Sequence, residues 1–228
     1  MKRRTFNSTV IAALAGALAA CGGGGDATPV MTVDAGGSSV IDMTALAAQL
    51  STFPLATLST AEAASLAYMR EEEQLAHDVY AVSATLWSPP VFDNITASEA
   101  THAAAVKALL DRYQLPDPIA GLPNGSFSTP AFQSLYDTLV ATSRSSLIDA
   151  LKVGAQIEEL DIRDITAQKA GIDNADILMV YDHLLRGSRN HLRAFMKLLT
   201  LQGGTYVPQY ISQTPFDAIV NSAIETGP

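Results

Sequence analysis

Four proline-free stretches, each longer than twenty residues, dominate the chain and are closed by proline or glycine. Strands rarely run past ten residues, so segments of this length with apolar residues every three or four positions are long helices that must bury one face. The first opens with "STAE" (Ser59 to Glu62), a capping box in which serine and glutamate satisfy each other's backbone N–H groups, and runs to about Trp87, where "SPP" stops it. The second follows "FDN", with Asp93 or Asn94 as its cap, and reaches about Tyr113 before "LPDP". The third spans about Ser145 to Ala170 and stops at Gly171; the fourth starts near Ala175 and ends at Leu201 before "GG". No strand and no solenoid repeat is predicted, so the class is all-α.

The connections within the first and second pairs of helices are short, which makes each pair an antiparallel hairpin. Between the second and third helices lie about thirty residues, with a short helix from Pro130 to about Ala141 capped by Thr129. One long crossover in a four-helix bundle is the ferritin-like topology. After Gly204, "TYVPQY" reads as an extended strap, and "TPFDAIVNSAI" as a short amphipathic helix capped by Thr214. The folded domain is expected over residues 55–225.

The residues before it read differently. "MKRRTF" and the apolar "VIAALAGALAA" form a signal peptide over residues 1–20, and "LAAC" resembles the lipobox of bacterial lipoproteins. That resemblance implies cleavage before Cys21, its lipidation, and a bacterial envelope protein anchored to the membrane, facing the periplasm or in the outer membrane. An ordinary signal peptide with an incidental cysteine is the alternative. The Gly/Ser/Ala-biased stretch 21–54, with a weak apolar patch from Ile41 to Leu50, reads as a flexible tether.

Charge and cysteine count exclude some classes. Loss of Lys2, Arg3 and Arg4 leaves eleven basic residues against 23 acidic ones, which argues against a nucleic-acid partner. With Cys21 as the single cysteine, neither a disulfide within the chain nor a Cys-x-x-Cys knuckle can form.

Polar residues on the helices' apolar faces carry the chemistry. At about 100° per residue, Glu99 and His102 share a face with Ile95, Ala103, Val106 and Leu110. Glu158 lies with Leu147, Leu151, Ala155, Ile162 and Ile165; Asp161 flanks that stripe, whereas Glu159 points beside Lys152 and Arg163. His191 lies among Val180, Leu184, Phe195 and Leu198. In "MREEEQLAHDVY", Glu71 faces out, Glu72 lies with Tyr68, Leu75 and Val79, and Glu73 with Leu66, Met69, Ala76 and Tyr80. Periodicity alone slightly prefers Glu72 over Glu73. Carboxylates gathered in a core repel one another and two imidazoles do not neutralise them. A pair of divalent cations would, and this donor set suits iron, manganese or zinc.

Glu on the first helix, Glu-x-x-His on the second and Glu on the third resemble the ferritin-like di-iron carboxylate bundle. More closely, "YMREEEQLAHDVY", "NITASEATH", "ALKVGAQIEELDIRDI" and "LLRGSRNHLRAF" are similar to the ferritin-like family called DUF2202, from about Leu58 into the strap. The resemblance implies metal ligands Glu73, Glu99, His102, Glu158 and His191, with Tyr80, seven residues after Glu73, behind them. It favours Glu73 over Glu72, which becomes a flanking alternative. The pattern departs at "SRNH", where Ser188 stands in place of an acid; Asp161 is the candidate substitute. Glu73 and Glu99 are 26 residues apart with their midpoint near Leu86, so residues near Trp87 must unwind for the two to meet.

The function expected is a dinuclear metal site, iron first, with redox chemistry: iron oxidation, or oxygen or peroxide reduction fed by an external electron donor. A non-catalytic binding module is the alternative, its buried acids paired with one another or with Arg186 or Arg189. Homodimerisation is left open. Of the remaining residues, His77 could reach the rim of the site, His183 is expected to be exposed, Met69, Met179 and Met196 fill the core, and Trp87 anchors a helix end.

Overall fold

The computed structural model describes residues 28–226; the signal peptide, Cys21 and the start of the expected tether lie outside them. Among the described residues the class is all-α, with one small hairpin. Strands β1 (Met31–Val33) and β2 (Ser39–Ile41) precede helices α1 (Met43–Leu50), α2 (Thr60–Leu86) and α3 (Val91–Arg112). Then come α4 (Pro130–Ser143), α5 (Leu147–Lys169), α6 (Ala175–Leu201) and α7 (Gln213–Val220). The long helices pack as two pairs, α2 with α3 and α5 with α6, which meet through α2 against α5 and α3 against α6. Helix α4 lies in the crossover and packs on α2 and α5.

Side-chain caps set the starts of α1, α2 and α5. Ser59 and Glu62 form the capping box of α2, and Ser146 accepts from the Asp149 N–H to start α5. Helix α3 starts earlier than "FDN" implies: Pro90 is its N-cap, with no side-chain cap. Phe92, fully buried against Phe195, anchors that first turn in place of a polar cap. Likewise Ser212, not Thr214, precedes α7. Trp87 is extended (φ −125°, ψ 133°) and its indole N–H donates to the Ser143 carbonyl at 2.9 Å. An extended residue advances about 3.3 Å against 1.5 Å in a helix, so the Trp87 to Pro89 link supplies the non-helical turn that the Glu73 to Glu99 spacing requires.

The largest correction concerns residues 28–54, expected as a tether. Val30, Met31, Ile41, Leu46 and Leu50 are all buried beneath the α2, α3 and α6 side chains Leu66, Leu109 and Tyr181. Each such burial stabilises by about 1.5–3 kcal/mol, enough to hold a segment this short. The hairpin pairs Met31 with Ile41 and Val33 with Ser39. Its turn is built locally: the Asp34 carboxylate accepts from the Gly36 and Ser38 N–H groups at 2.8 and 3.0 Å. Gly37 (φ +91°) sits so close to α6 that a Cβ would stand 2.7 Å from the Asn190 carbonyl oxygen. Two three-residue strands leave no run long enough for periodicity to register, which is why the stretch reads as a linker.

Candidate metal centre

Each long helix sends acidic or imidazole side chains into the space between the pairs. Glu72 and Glu73 come from α2, Glu99 and His102 from α3, Glu158 and Asp161 from α5, and His191 from α6; none is more than 1% exposed. Glu99 lies at the middle. Its Oε2 is 2.9 Å from His102 Nδ1 and its Oε1 is 2.7 Å from His191 Nδ1. Outside this core, Glu73 Oε2 stands 3.4 Å from His102 Nδ1, and Glu158 Oε1 stands 3.5 Å from His191 Nδ1. The arrangement is near-symmetric about Glu99, one histidine and one flanking glutamate on each side. The two imidazoles stack at 5.3 Å, 16° from parallel.

These approaches are not hydrogen bonds. Both Nδ1 atoms, both oxygens of Glu72, Glu73, Glu99 and Asp161, and Oε2 of Glu158 are buried without a hydrogen-bond partner. Donor and acceptor atoms that stand 2.7–3.5 Å apart but do not point at one another are aimed at something else. Ligand atoms about 2.1 Å from one ion are themselves roughly 2.7–3.5 Å apart, so Glu99 Oε2 with His102 Nδ1, and Glu99 Oε1 with His191 Nδ1, each have the spacing of two donors on one ion. One ligand atom from each of these three residues lies within 4.8 Å of the other two.

Charge balance points the same way. Burial pushes Glu73 and Glu158 up to about 7, against the pull of His102 and His191 respectively. Burial, with Asp164 and Glu73 beside it, holds Glu72 well above the usual range; burial and the surrounding glutamates do the same to Asp161. Burial would raise Glu99 too, but the two imidazoliums outweigh it and pull the group below its ordinary value. Against burial, Glu99 and its neighbours lift His102 to about 10 and His191 to about 9. Without metal, then, the cluster is tolerable only by keeping protons on both rings and on several acids. Five ionised carboxylates beside two neutral imidazoles become nearly neutral with two divalent cations.

Tyr80 stands behind the cluster and its hydroxyl donates to Glu158 Oε1 at 2.7 Å. Ser188, also buried, donates to its own helix at the Leu184 carbonyl (3.1 Å), so its hydroxyl turns from the acids. His77 does not reach the centre; its Nδ1 lies 2.8 Å from Asp78. His183 is half-buried rather than exposed. Met69 is fully buried, while Met179 and Met196 are only half-buried.

Two acids read as outward-facing are buried instead. Glu71 accepts from the Ser128 and Thr129 N–H groups at 2.8 and 3.0 Å, holding the start of α4. Thr129, expected as a side-chain cap, donates its hydroxyl to Glu71 rather than capping α4 itself. Glu159 accepts from the N–H groups of Gln209, Tyr210 and Ile211 at 2.9–3.0 Å, fastening the strap. Arg189, considered as a partner for these acids, pairs with Glu225 instead. Helical periodicity places a side chain on a face but does not show which loop crosses that face.

Two residues of the centre escape sequence reasoning. A Cβ on Gly187 would lie 2.4 Å from His102 Cε1, so this helical glycine makes room for the ring. An isolated glycine inside a helical pattern, about 1 kcal/mol worse than alanine, is the signal that marks such an approach. The other is Ser39, whose Oγ lies 2.9 Å from His102 Nε2 and 3.0 Å from His191 Nε2. No periodic signal marks it.

The comparisons fit this architecture. A family model described as an uncharacterized protein domain, DUF2202, matches residues 62–223. The chain is 46% identical over 178 residues to the uncharacterized protein MJ0754 of the archaeon Methanocaldococcus jannaschii, covering 78% of this chain and 96% of that one. The crystal structure of that hypothetical protein superposes with a TM-score of 0.74, covering 75% of this chain and 98% of its own. The match begins beyond the hairpin and takes in all four helices that carry the acids and histidines, and on this breadth the chain belongs to the DUF2202 family.

Proposed function

We propose that the protein is a ferritin-like four-helix bundle that binds two divalent metal ions, iron in the first place and manganese or zinc as alternatives. The supporting observation is the convergence of buried, unpartnered donor atoms from all four long helices on one space. Glu99, with His102 and Glu73 on one side and His191 and Glu158 on the other, would hold the ions. Glu72 and Asp161 are the acids available where Ser188 leaves the fourth helix without one. Two iron ions so held would supply redox chemistry such as iron oxidation or oxygen or peroxide reduction, with electrons from an external donor.

The chain's own residues would prepare the site. Tyr80 orients Glu158 through its hydroxyl. Leu66, Met69, Ile165 and Leu184, on α2, α5 and α6, are all fully buried in one core cluster and would help to keep bulk water out. Anchoring through a lipidated Cys21 in the bacterial envelope is part of the same proposal and rests on the resemblance of "LAAC" to a lipobox.

Metal analysis by mass spectrometry after iron loading, beside the double variant Glu99→Ala/His102→Ala, tests the reading. Two equivalents of metal per chain are expected in the wild type and none in the variant, with both proteins folded. A folded wild type without stoichiometric metal would leave a helical module whose polar core is structural.

A further inference from the structure

The hairpin segment enters the proposed centre at one point. Ser39, at the start of β2, is fully buried, and its hydroxyl oxygen is within hydrogen-bond distance of both imidazoles, 2.9 Å from His102 Nε2 and 3.0 Å from His191 Nε2. Its position is fixed from several sides. The Ser39 N–H donates to Ser98 Oγ at 3.0 Å, and the Ile41 N–H donates to Thr101 Oγ1 at 3.1 Å, clamping β2 along α3. On the α6 side, a Cβ on Gly187 would come within 3.1 Å of Ser39 Oγ, so only glycine leaves the serine and the His102 ring their places.

Tautomer follows from this geometry. Both Nδ1 atoms face the carboxylates, where the ions would sit. A neutral imidazole that gives its Nδ1 lone pair to a cation carries its proton on Nε2. Both Nε2 atoms are then donors, and both point to one hydroxyl. A serine oxygen has two lone pairs, enough to accept twice. Were Ser39 to donate to one ring, that ring's proton would move to Nδ1 and it would be lost as a ligand.

We propose that Ser39 is a positioning residue of the metal centre, its Oγ accepting from Nε2–H of both His102 and His191 and so presenting both Nδ1 atoms to the ions. This rests on the metal-binding reading above. It makes the hairpin a component of the centre and not a tether to it.

Zinc serves as a diamagnetic probe. Its affinity is measured by competition with a chelator for the wild-type protein, Ser39→Ala and Ser39→Thr, and long-range ¹H–¹⁵N spectra identify which ring nitrogens carry protons. Ser39→Ala is expected to bind zinc about ten- to a hundredfold more weakly and to shift both Nε2 resonances, with the fold intact by circular dichroism. Ser39→Thr, which keeps the hydroxyl, should recover most of the affinity. Wild-type affinity and unshifted Nε2 resonances in Ser39→Ala would overturn the assignment, as would an unprotonated Nε2 on either wild-type ring. Should the wild-type protein bind no metal, the metal-centre reading falls by itself. The metal-free spectrum then decides on Ser39: protons on both Nε2 atoms, with both resonances moved in Ser39→Ala, support the double acceptor, and any other pattern refutes it.

Discussion

Two sets of buried carboxylates in this protein have the same chemistry and opposite circumstances. Glu62, Glu71 and Glu159 are each at most 3% exposed, and each accepts from backbone N–H groups. Glu62 closes its own capping box with one oxygen and accepts from the Asp173 and Asn174 N–H groups at the start of α6 with the other. Glu72, Glu73, Glu99 and Asp161 are as deeply buried, yet neither oxygen of any of them has a hydrogen-bond partner. The first set is structural because backbone dipoles solvate the charge in place of water. The second set meets no backbone donor, and Glu99 and Glu73 lie only against imidazoles 2.7–3.4 Å away, so the set needs protons or cations. Burial of an acid alone does not identify a site. What distinguishes the second set is lack of satisfaction combined with convergence.

The sharpest break of this comparison comes from the satisfied set. Glu159→Ala would leave three strap N–H groups without their acceptor, with an expected loss of about 3–5 kcal/mol of stability. Urea unfolding should show this loss equally with and without chelator. A chelator-dependent loss would move Glu159 into the metal set.

A smaller effect is expected at the other end of the site. Gly187→Ala drives a methyl group into the His102 ring and should destabilise by about 1–3 kcal/mol through overpacking. Because the ring must move, bound metal should fall as well, measurable by mass spectrometry on the folded variant. Retained stoichiometry would show that the ring has room to yield.

The smallest effect has the opposite sign. Glu72→Gln/Asp161→Asn removes two unsatisfied acids and is expected to stabilise the metal-free protein by about 1–2 kcal/mol at mildly alkaline pH, while weakening metal binding. The pH dependence follows from linkage. Glu73 and Glu158 are lifted to about 7, and His102 and His191 to about 10 and 9, so the folded metal-free state binds more protons than the unfolded one. The carboxyl contribution is complete below the ordinary carboxylate range and lost as pH rises through about 7; the histidine contribution is complete below the ordinary imidazole range and lost through about 9 to 10. Chelated wild type should therefore lose stability between mildly acidic and alkaline pH, and the double variant should lose less. Metal competes with those protons, so loaded protein should not follow the decline. Parallel melting curves for loaded and chelated wild type across this range would sink the comparison.

The four long helices and their inward Glu and His positions were legible in the sequence because helical periodicity is local: a stripe of Ile, Val and Leu around Glu99 or Glu158 needs no knowledge of neighbours. Local spacing even required the break near Trp87. It misplaced Glu71 and Glu159, since their partners are N–H groups of segments 57 and 50 residues away that cross the helix surfaces. It also could not separate Glu72 from Glu73, because both are buried and a helix face is wider than one residue. The sequence by itself determined that the four long helices form and that Glu99, His102, Glu158 and His191 enter the core. Only the tertiary structure decided which buried acids find backbone donors and which are left unsatisfied, and that a serine from a short hairpin sits between two histidines 63 and 152 residues away. Faces follow from the regular geometry of one helix, whereas satisfaction of a buried charge depends on whatever other part of the chain arrives beside it.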